Sequence, residues 1–212
     1  MQALSIADEQ ILRVVIVAFD DFTDIDLILI WDLLNRVHLP NWSVRIVGEA
    51  KFHRSMTGLT VPIHGPLDEA NVADAVLFTS GKGTRTKIVD SEYLAQFKLD
   101  PERQLIGSIC SGALLLGALG LLTGKEATTY PSAKPLLELF GVRVVERPIV
   151  IEGNIATTGG CLAGQYLAGW VIERLVGSAI AQAVITSCQP VGEGLSFNTE
   201  VEALPTPGVV VA

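Results

Sequence analysis

Apolar residues follow two rhythms along this chain. One is the short, nearly unbroken run. ILRVVIVAF (11–19), interrupted only by Arg13, has the pattern of a strand covered on both faces. WSVRIVGEA (42–50) and RQLIGSI (103–109) are read as further strands, and DAVLFTSGKG (74–83) runs from a strand into a glycine-containing loop. The other rhythm is longer and helical. DDFTDIDLILIWDLLNRV (20–37) predicts a helix with Thr23 or Asp24 at its N-cap. Helices are also predicted for IVDSEYLAQF (88–97), SGALLLGALGLL (111–122), AKPLLELFG (133–141, closed by Gly141) and CLAGQYLAGWVIERLVG (161–177). AIAQAVITSC (179–188) continues as another. KFHRSMTGLTVPIHG (51–65) alternates around a glycine and predicts a small hairpin. VRVVERPIVIEGNIATT (142–158) predicts short strands with a turn at Glu152-Gly153-Asn154.

Strands alternate with helices, and most of the strands are apolar. That order predicts an α/β fold, a three-layer sandwich with a mainly parallel central sheet. No repeat, low-complexity segment or linker divides the chain. One domain is expected over residues 10–190, with an N-terminal arm (1–9) and a Pro- and Gly-containing tail (191–212). The arm is acidic and lacks a basic segment, so it does not read as a signal peptide.

One stretch competes with this reading. No charge interrupts the chain between Arg103 and Lys125, close to the ~20 residues a membrane helix needs. But QLIGSI is β-like, Ser108 and Ser111 follow, and no aromatic belt or basic flank anchors both ends. The stretch therefore reads as a strand, a turn and a buried helix.

Composition narrows the classes of function. With 49% hydrophobic and 18% charged residues, the chain is globular rather than disordered. A net charge of −8 without a Lys/Arg cluster argues against direct nucleic-acid binding. Cys110, Cys161 and Cys188 are odd in number and without paired spacing, as in the reduced thiols of a cytoplasmic protein. No CxxC or Cys/His spacing marks a zinc site, so no metal ligand and no cofactor is expected.

Cys110 sits where LIGSI turns into a helix, at the carboxyl end of a strand, where open α/β sheets bind ligands. Ser108 and Gly112 flank it as S-x-C-x-G. Small residues there permit the sharp strand-to-helix elbow that projects a nucleophile. A helix N-terminus beside the thiol predicts a lowered pKa, and its amides could hold an anion. The competing reading is a small buried hydrophobe, and spacing alone leaves the two even. The following helix is apolar all round and so interior, with Ala113, Gly117 and Gly120 forming a small side for close packing on the sheet.

Asp26 shares a helix face with Ile30, Leu33 and Val37, so a carboxylate continues an apolar stripe. Buried there, it needs a partner or a raised pKa. The alternative is an ordinary helix-start carboxylate stabilised by the dipole. Asp24, Asp32, Asn35 and Arg36 read as a solvated or interface face.

These residues resemble the ThiJ/PfpI family, within the class I glutamine amidotransferase-like (flavodoxin-like) fold, and most of all its isonitrile (isocyanide) hydratase branch. ICSGALLLGALGLLTGKEATTY is similar to that branch's nucleophile segment, FDDFTDIDL to its first loop and helix, and EGNIATTGGCLAG to its DGNxxTxGGxxAG. The resemblance implies Cys110 as nucleophile and Asp26 as the acid that hydrogen-bonds it and shuttles protons. It implies that the Ser111 and Gly81 backbone amides face an anion, and that the chain dimerises. Ile28 and Trp31 are candidate interface residues. Ser80 and Tyr130 join Gly81 and Ser111 as the oxyanion and substrate-binding set, although both stand at departures. The family's PGG is Thr79-Ser80-Gly81 here, and the histidine of ATTHW is Tyr130. LTGP after the acid has become LILI, and AGID has become Ala163-Gly164-Gln165-Tyr166.

Other branches place a histidine soon after the cysteine. This chain has only His38, His53 and His64, all upstream, which read as loop and hairpin residues. A glutamine amidotransferase or Cys-His peptidase is therefore not expected. The leading expectation is a cysteine-dependent hydro-lyase acting on a small molecule. The alternative is a ligand-sensing or redox-sensing module of the same fold, related to the sensor half of AraC-type regulators. The DNA-binding domain of those regulators is not expected in this acidic chain, which ends at Ala212.

Overall fold

The structure is a computed structural model that describes residues 10–196. The proposed arm and most of the tail lie outside the described residues. The main sheet contains β1 (Leu12–Val17), β2 (Trp42–Val47), β5 (Ala75–Phe78), β6 (Leu105–Ile109), β9 (Ile149–Glu152) and β10 (Ile155–Thr158). Its order is β2-β1-β5-β6-β10-β9. All pairings are parallel except β10 with β9, which the tight turn at Gly153 (φ 66°) makes antiparallel. The hairpin expected in 51–65 is β3 (Phe52–Arg54) with β4 (Thr60–Pro62), and a small parallel pair joins β7 (Glu126–Ala127) to β8 (Arg143–Val144).

Helices flank the sheet, giving the predicted three-layer α/β architecture. α1 (Asp24–Asn35) packs on α6 (Gly164–Val176), and α6 packs on α7 (Ser178–Thr186). α2 (Thr84–Lys87) and α5 (Lys134–Glu138) pack on α4 (Ala113–Ala118), and α3 (Ser91–Leu94) is a single turn. The continuous apolar run of the sequence becomes β1, an interior strand between β2 and β5, with Val14–Phe19 all buried. Ile30, Leu33 and Val37 are buried with Asp26, as the stripe on α1 predicts.

Several expected helices are shorter than their patterns. The expected 88–97 helix shrinks to α3 because Asp90 caps a new start, accepting a hydrogen bond from the Tyr93 N–H at 2.9 Å. The expected 111–122 helix begins as a 3₁₀ turn, Cys110–Gly112, and stops before Gly120, which adopts φ 75°. Its small side does not face the sheet as expected. A Cβ on Gly117 would meet Phe140 and Leu137, so the close approach is to the α5 region, and Gly120 faces open space. Gly112 is the residue that lies against the sheet end, where a Cβ would sit 2.6–2.7 Å from the Thr79 and Phe78 carbonyl oxygens. Thr23 takes the N-cap position of α1, but its side chain does not cap. Among the described residues no helix is long and apolar enough to cross a membrane, and the uncharged stretch is β6, its turn and α4.

Candidate active site

β6 lies between β5 and β10, so its carboxyl end opens at the middle of the sheet. Cys110 follows it directly and adopts φ 54°, a left-handed backbone that costs a non-glycine residue about 1–3 kcal/mol. Two features hold it there. The Gly112 backbone abuts the end of β5, and the Thr129 hydroxyl donates to the Cys110 carbonyl at 2.8 Å. The elbow predicted from S-x-C-x-G is therefore present in the backbone itself.

Cys110 is almost fully buried, yet it lines a cavity of about 440 Å³ together with Ser80, Gly81, Ser111 and Tyr130. A cysteine sealed inside the core would have no such opening. Asp26 is not among the residues lining the cavity and is fully buried. The Ser80 hydroxyl donates to Asp26 Oδ2 and lies 3.1 Å from Thr23 Oγ1, while Asp26 Oδ1 has no hydrogen-bond partner. The Cys110 and Cys161 sulfurs and an Asp26 carboxylate oxygen all lie within 4.8 Å of one another.

Burial pushes the Asp26 carboxyl above its ordinary range, against the pull of the Ser80 hydroxyl and the two thiols. Burial also pushes the Cys110 thiol up, and the Asp26 charge adds to the effect. This reverses the predicted lowering. The segment after Cys110 is a 3₁₀ turn and a six-residue helix, too little to outweigh desolvation beside a carboxylate. Cys161 is raised to about 12, first by desolvation and then by Asp26. Three acids crowded in one place cannot all be charged. A proton held on Asp26 removes the repulsion and gives a Cys110 thiolate a donor.

The other candidates take distinct places. The Ser111 N–H is directed at the Cys110 thiol, and the Ser111 hydroxyl accepts from the Gly81 N–H at 3.3 Å. Gly81 is at φ 142°, and a Cβ there would lie 2.0 Å from the Asp21 carbonyl oxygen, so the loop requires glycine. Tyr130 sits half-exposed at the rim. None of the three histidines lines the cavity. His38 is exposed, His53 is buried in β3, and His64 Nδ1 accepts from the Ile46 N–H at 3.0 Å. Asp24, expected on a solvated face, is half-buried and accepts hydrogen bonds from the Ser55 and Thr57 hydroxyls. Ile28 is exposed, whereas Trp31 is partly covered and lies tilted against the His64 ring, with the centroids 5.1 Å apart.

Sequence reasoning missed Met56, Lys82, Arg85 and Cys161, which also line the cavity. A signal for Cys161 exists in the chain. ATTGGCLAG repeats the order strand, turn, cysteine, small residues, helix that singled out Cys110.

The DJ-1/PfpI family pattern matches residues 12–174. The chain is 31% identical over 175 residues to an isonitrile hydratase of Pseudomonas putida, covering 82% of this chain and 76% of that one. It is 28% identical over 150 residues to a deglycase of Pyrococcus abyssi, covering 68% and 87%. Among solved structures, a ThiJ/PfpI family protein from Pseudomonas syringae has TM-score 0.76 at 25% identity, covering 89% of this chain and 78% of that one. DJ-1beta of Drosophila melanogaster, at 21% identity, shares the fold with TM-score 0.74 and coverage of 83% and 96%. The matched region holds the whole central sheet and both cysteine turns, and on that extent the chain belongs to the DJ-1/PfpI family.

Proposed function

We propose that the protein is a cysteine-dependent hydro-lyase that hydrates a small electrophile of the isonitrile type, with Cys110 as nucleophile and Asp26 as proton carrier. The observation that carries this reading is the Cys110 sulfur on the wall of a 440 Å³ cavity, close to a buried carboxyl group with a raised pKa. The likeness to the Pseudomonas putida isonitrile hydratase supports it. In the proposed reaction the Cys110 thiolate forms a bond to the terminal carbon, and Asp26 delivers a proton to that carbon. Water adds to the resulting thioimidate. The carbon–sulfur bond then breaks, the thiolate is restored, the added hydroxyl returns its proton to Asp26, and an N-substituted formamide leaves with the atoms of one water. The test is formamide formation from a simple alkyl isonitrile. Product from the wild type and none from Cys110→Ala supports the reading. No product from a folded wild-type protein overturns it.

A second reading is a sensor that binds a ligand without turning it over. It is favoured by the Gly81 N–H, which is engaged by Ser111 rather than open to an anion. Ligand binding without product would decide for it. In either case the protein acts as a homodimer. Ile25 and Ile28 on α1 and Leu162 on the turn that packs against α1 are exposed apolar residues suited to a second copy. Sedimentation should give twice the chain mass, and Leu162→Glu should give monomer.

A further inference from the structure

Cys161 has no part in the reaction above, yet its thiol lies beside the two groups that do. Cys110, Cys161 and Asp26 come from three distant parts of the sequence, so no spacing pattern reports them. Among the described residues they form a group of three ligand atoms mutually within 4.8 Å. We propose that these three residues form a binding site for a thiophilic divalent cation of the zinc class.

The donor set and its support argue for this. Two sulfurs and one carboxylate oxygen suit zinc or cadmium, whereas magnesium and calcium require oxygen. Around a tetrahedral zinc with ~2.3 Å bonds to sulfur, two sulfurs stand about 3.8 Å apart, so the donors need to close by at most about an ångström. The carboxylate is already oriented. The Ser80 hydroxyl holds Oδ2, and Oδ1 is left buried with no hydrogen-bond partner. A hydrogen bond that fixes one oxygen and leaves the other free is the support metal-binding carboxylates receive. A buried carboxylate oxygen with no hydrogen-bond partner is unfavourable, and a cation bound there would offset that cost. Both cysteines line the cavity, which leaves a fourth position for water or an incoming ligand.

The site stands apart from the hydration reading, because it needs three donors and no nucleophile. It does have a consequence for Cys110. A sulfur that holds the ion is not available to an electrophile, so metal occupancy and covalent modification compete.

The experiment is a titration of the reduced full-length protein, kept in a phosphine reductant, with Co2+ followed by Zn2+. One Co2+ per chain is expected, with a sulfur-to-metal charge-transfer band that Zn2+ abolishes. Cys161→Ser and Asp26→Asn should each weaken binding at least about tenfold, and Ser80→Ala about 10–100-fold, while Cys188→Ser binds as wild type does. Circular dichroism checks each variant's fold. A readout on the wild type alone guards against a variant that does not fold. Bound Zn2+ should slow alkylation of Cys110 and Cys161 but not of Cys188. Absence of 1:1 binding, unchanged affinity in Cys161→Ser, or equal alkylation of all three thiols with and without Zn2+ overturns the site.

Discussion

Two adjacent strands of this sheet end in the same device, and they use it differently. β6 and β10 run parallel as neighbours. Each is followed by a 3₁₀ turn that starts on a cysteine, Cys110–Gly112 and Cys161–Ala163, and then by an α-helix that starts three residues on. At β6 the cysteine itself takes the positive φ and is nearly buried. At β10 Gly160 takes it (φ 93°), and Cys161 is half-buried with an unstrained backbone. The contrast separates a cysteine held in a strained position from one that merely follows a glycine. Backbone strain at a buried polar position is a mark of function. That contrast supports the proposed assignment of Cys110, rather than Cys161, as the nucleophile.

The largest expected effect tests that ranking. Cys110→Ser should abolish formamide production, read as product per unit protein. Asp26→Asn should lower the rate about 10²–10⁴-fold, the usual range for loss of a general acid. An Asp26→Asn protein with wild-type kcat/KM would show that the proton comes from elsewhere.

Stability sharpens the comparison further. Gly112 and Ala163 hold the same place in the two turns. A methyl on Gly112 would strike the carbonyl oxygens at the end of β5, so Gly112→Ala should cost about 1–3 kcal/mol in urea unfolding. Ala163→Gly in the other turn should cost only about 0.5–1 kcal/mol.

A pH series gives a smaller but signed effect. The Asp26 pKa is raised in the folded state above the 3.8 of an ordinary aspartate. The native state therefore holds its proton longer than the unfolded chain does. Stability from this group is present at low pH and falls as pH rises from about 3.8 through the folded pKa, with a limiting slope of about 1.4 kcal/mol per pH unit. Asp26→Asn should remove that decline, making the variant the more stable protein above the window and not below it.

The smallest effect concerns Cys161. Its thiol, raised to about 12 in part by Asp26, should alkylate slowly at neutral pH. Asp26→Asn should speed this, about tenfold for each unit of pKa released, read by peptide mapping. An unchanged rate would mean that desolvation alone holds the thiol protonated.

Much of this arrangement is legible along the chain. Each strand of the main sheet is visible as an apolar run or, at its edge, as a hairpin pattern. The Asp26 stripe and the Ser108-Ile109-Cys110-Ser111-Gly112 elbow need only local spacing. Helix lengths were less legible, because apolar residues continue past Ala118 while Gly120 turns the backbone away. The direction of the Cys110 pKa was read wrongly, because a helix start is visible in sequence and the surrounding burial is not.

The sequence by itself determined the alternation of strands and helices, the sharp turn at Cys110 and the buried face that carries Asp26. These follow from steric and hydrophobic patterns within one or two elements. Only the tertiary structure decided that Cys161 meets Cys110 and Asp26. That meeting depends on β10 pairing with β6 and on α1 packing against α6, contacts between segments some fifty or more residues apart. Local spacing carries no record of such pairings, because they are chosen by the burial of the whole sheet. The same burial turned three ordinary acids into a coupled group.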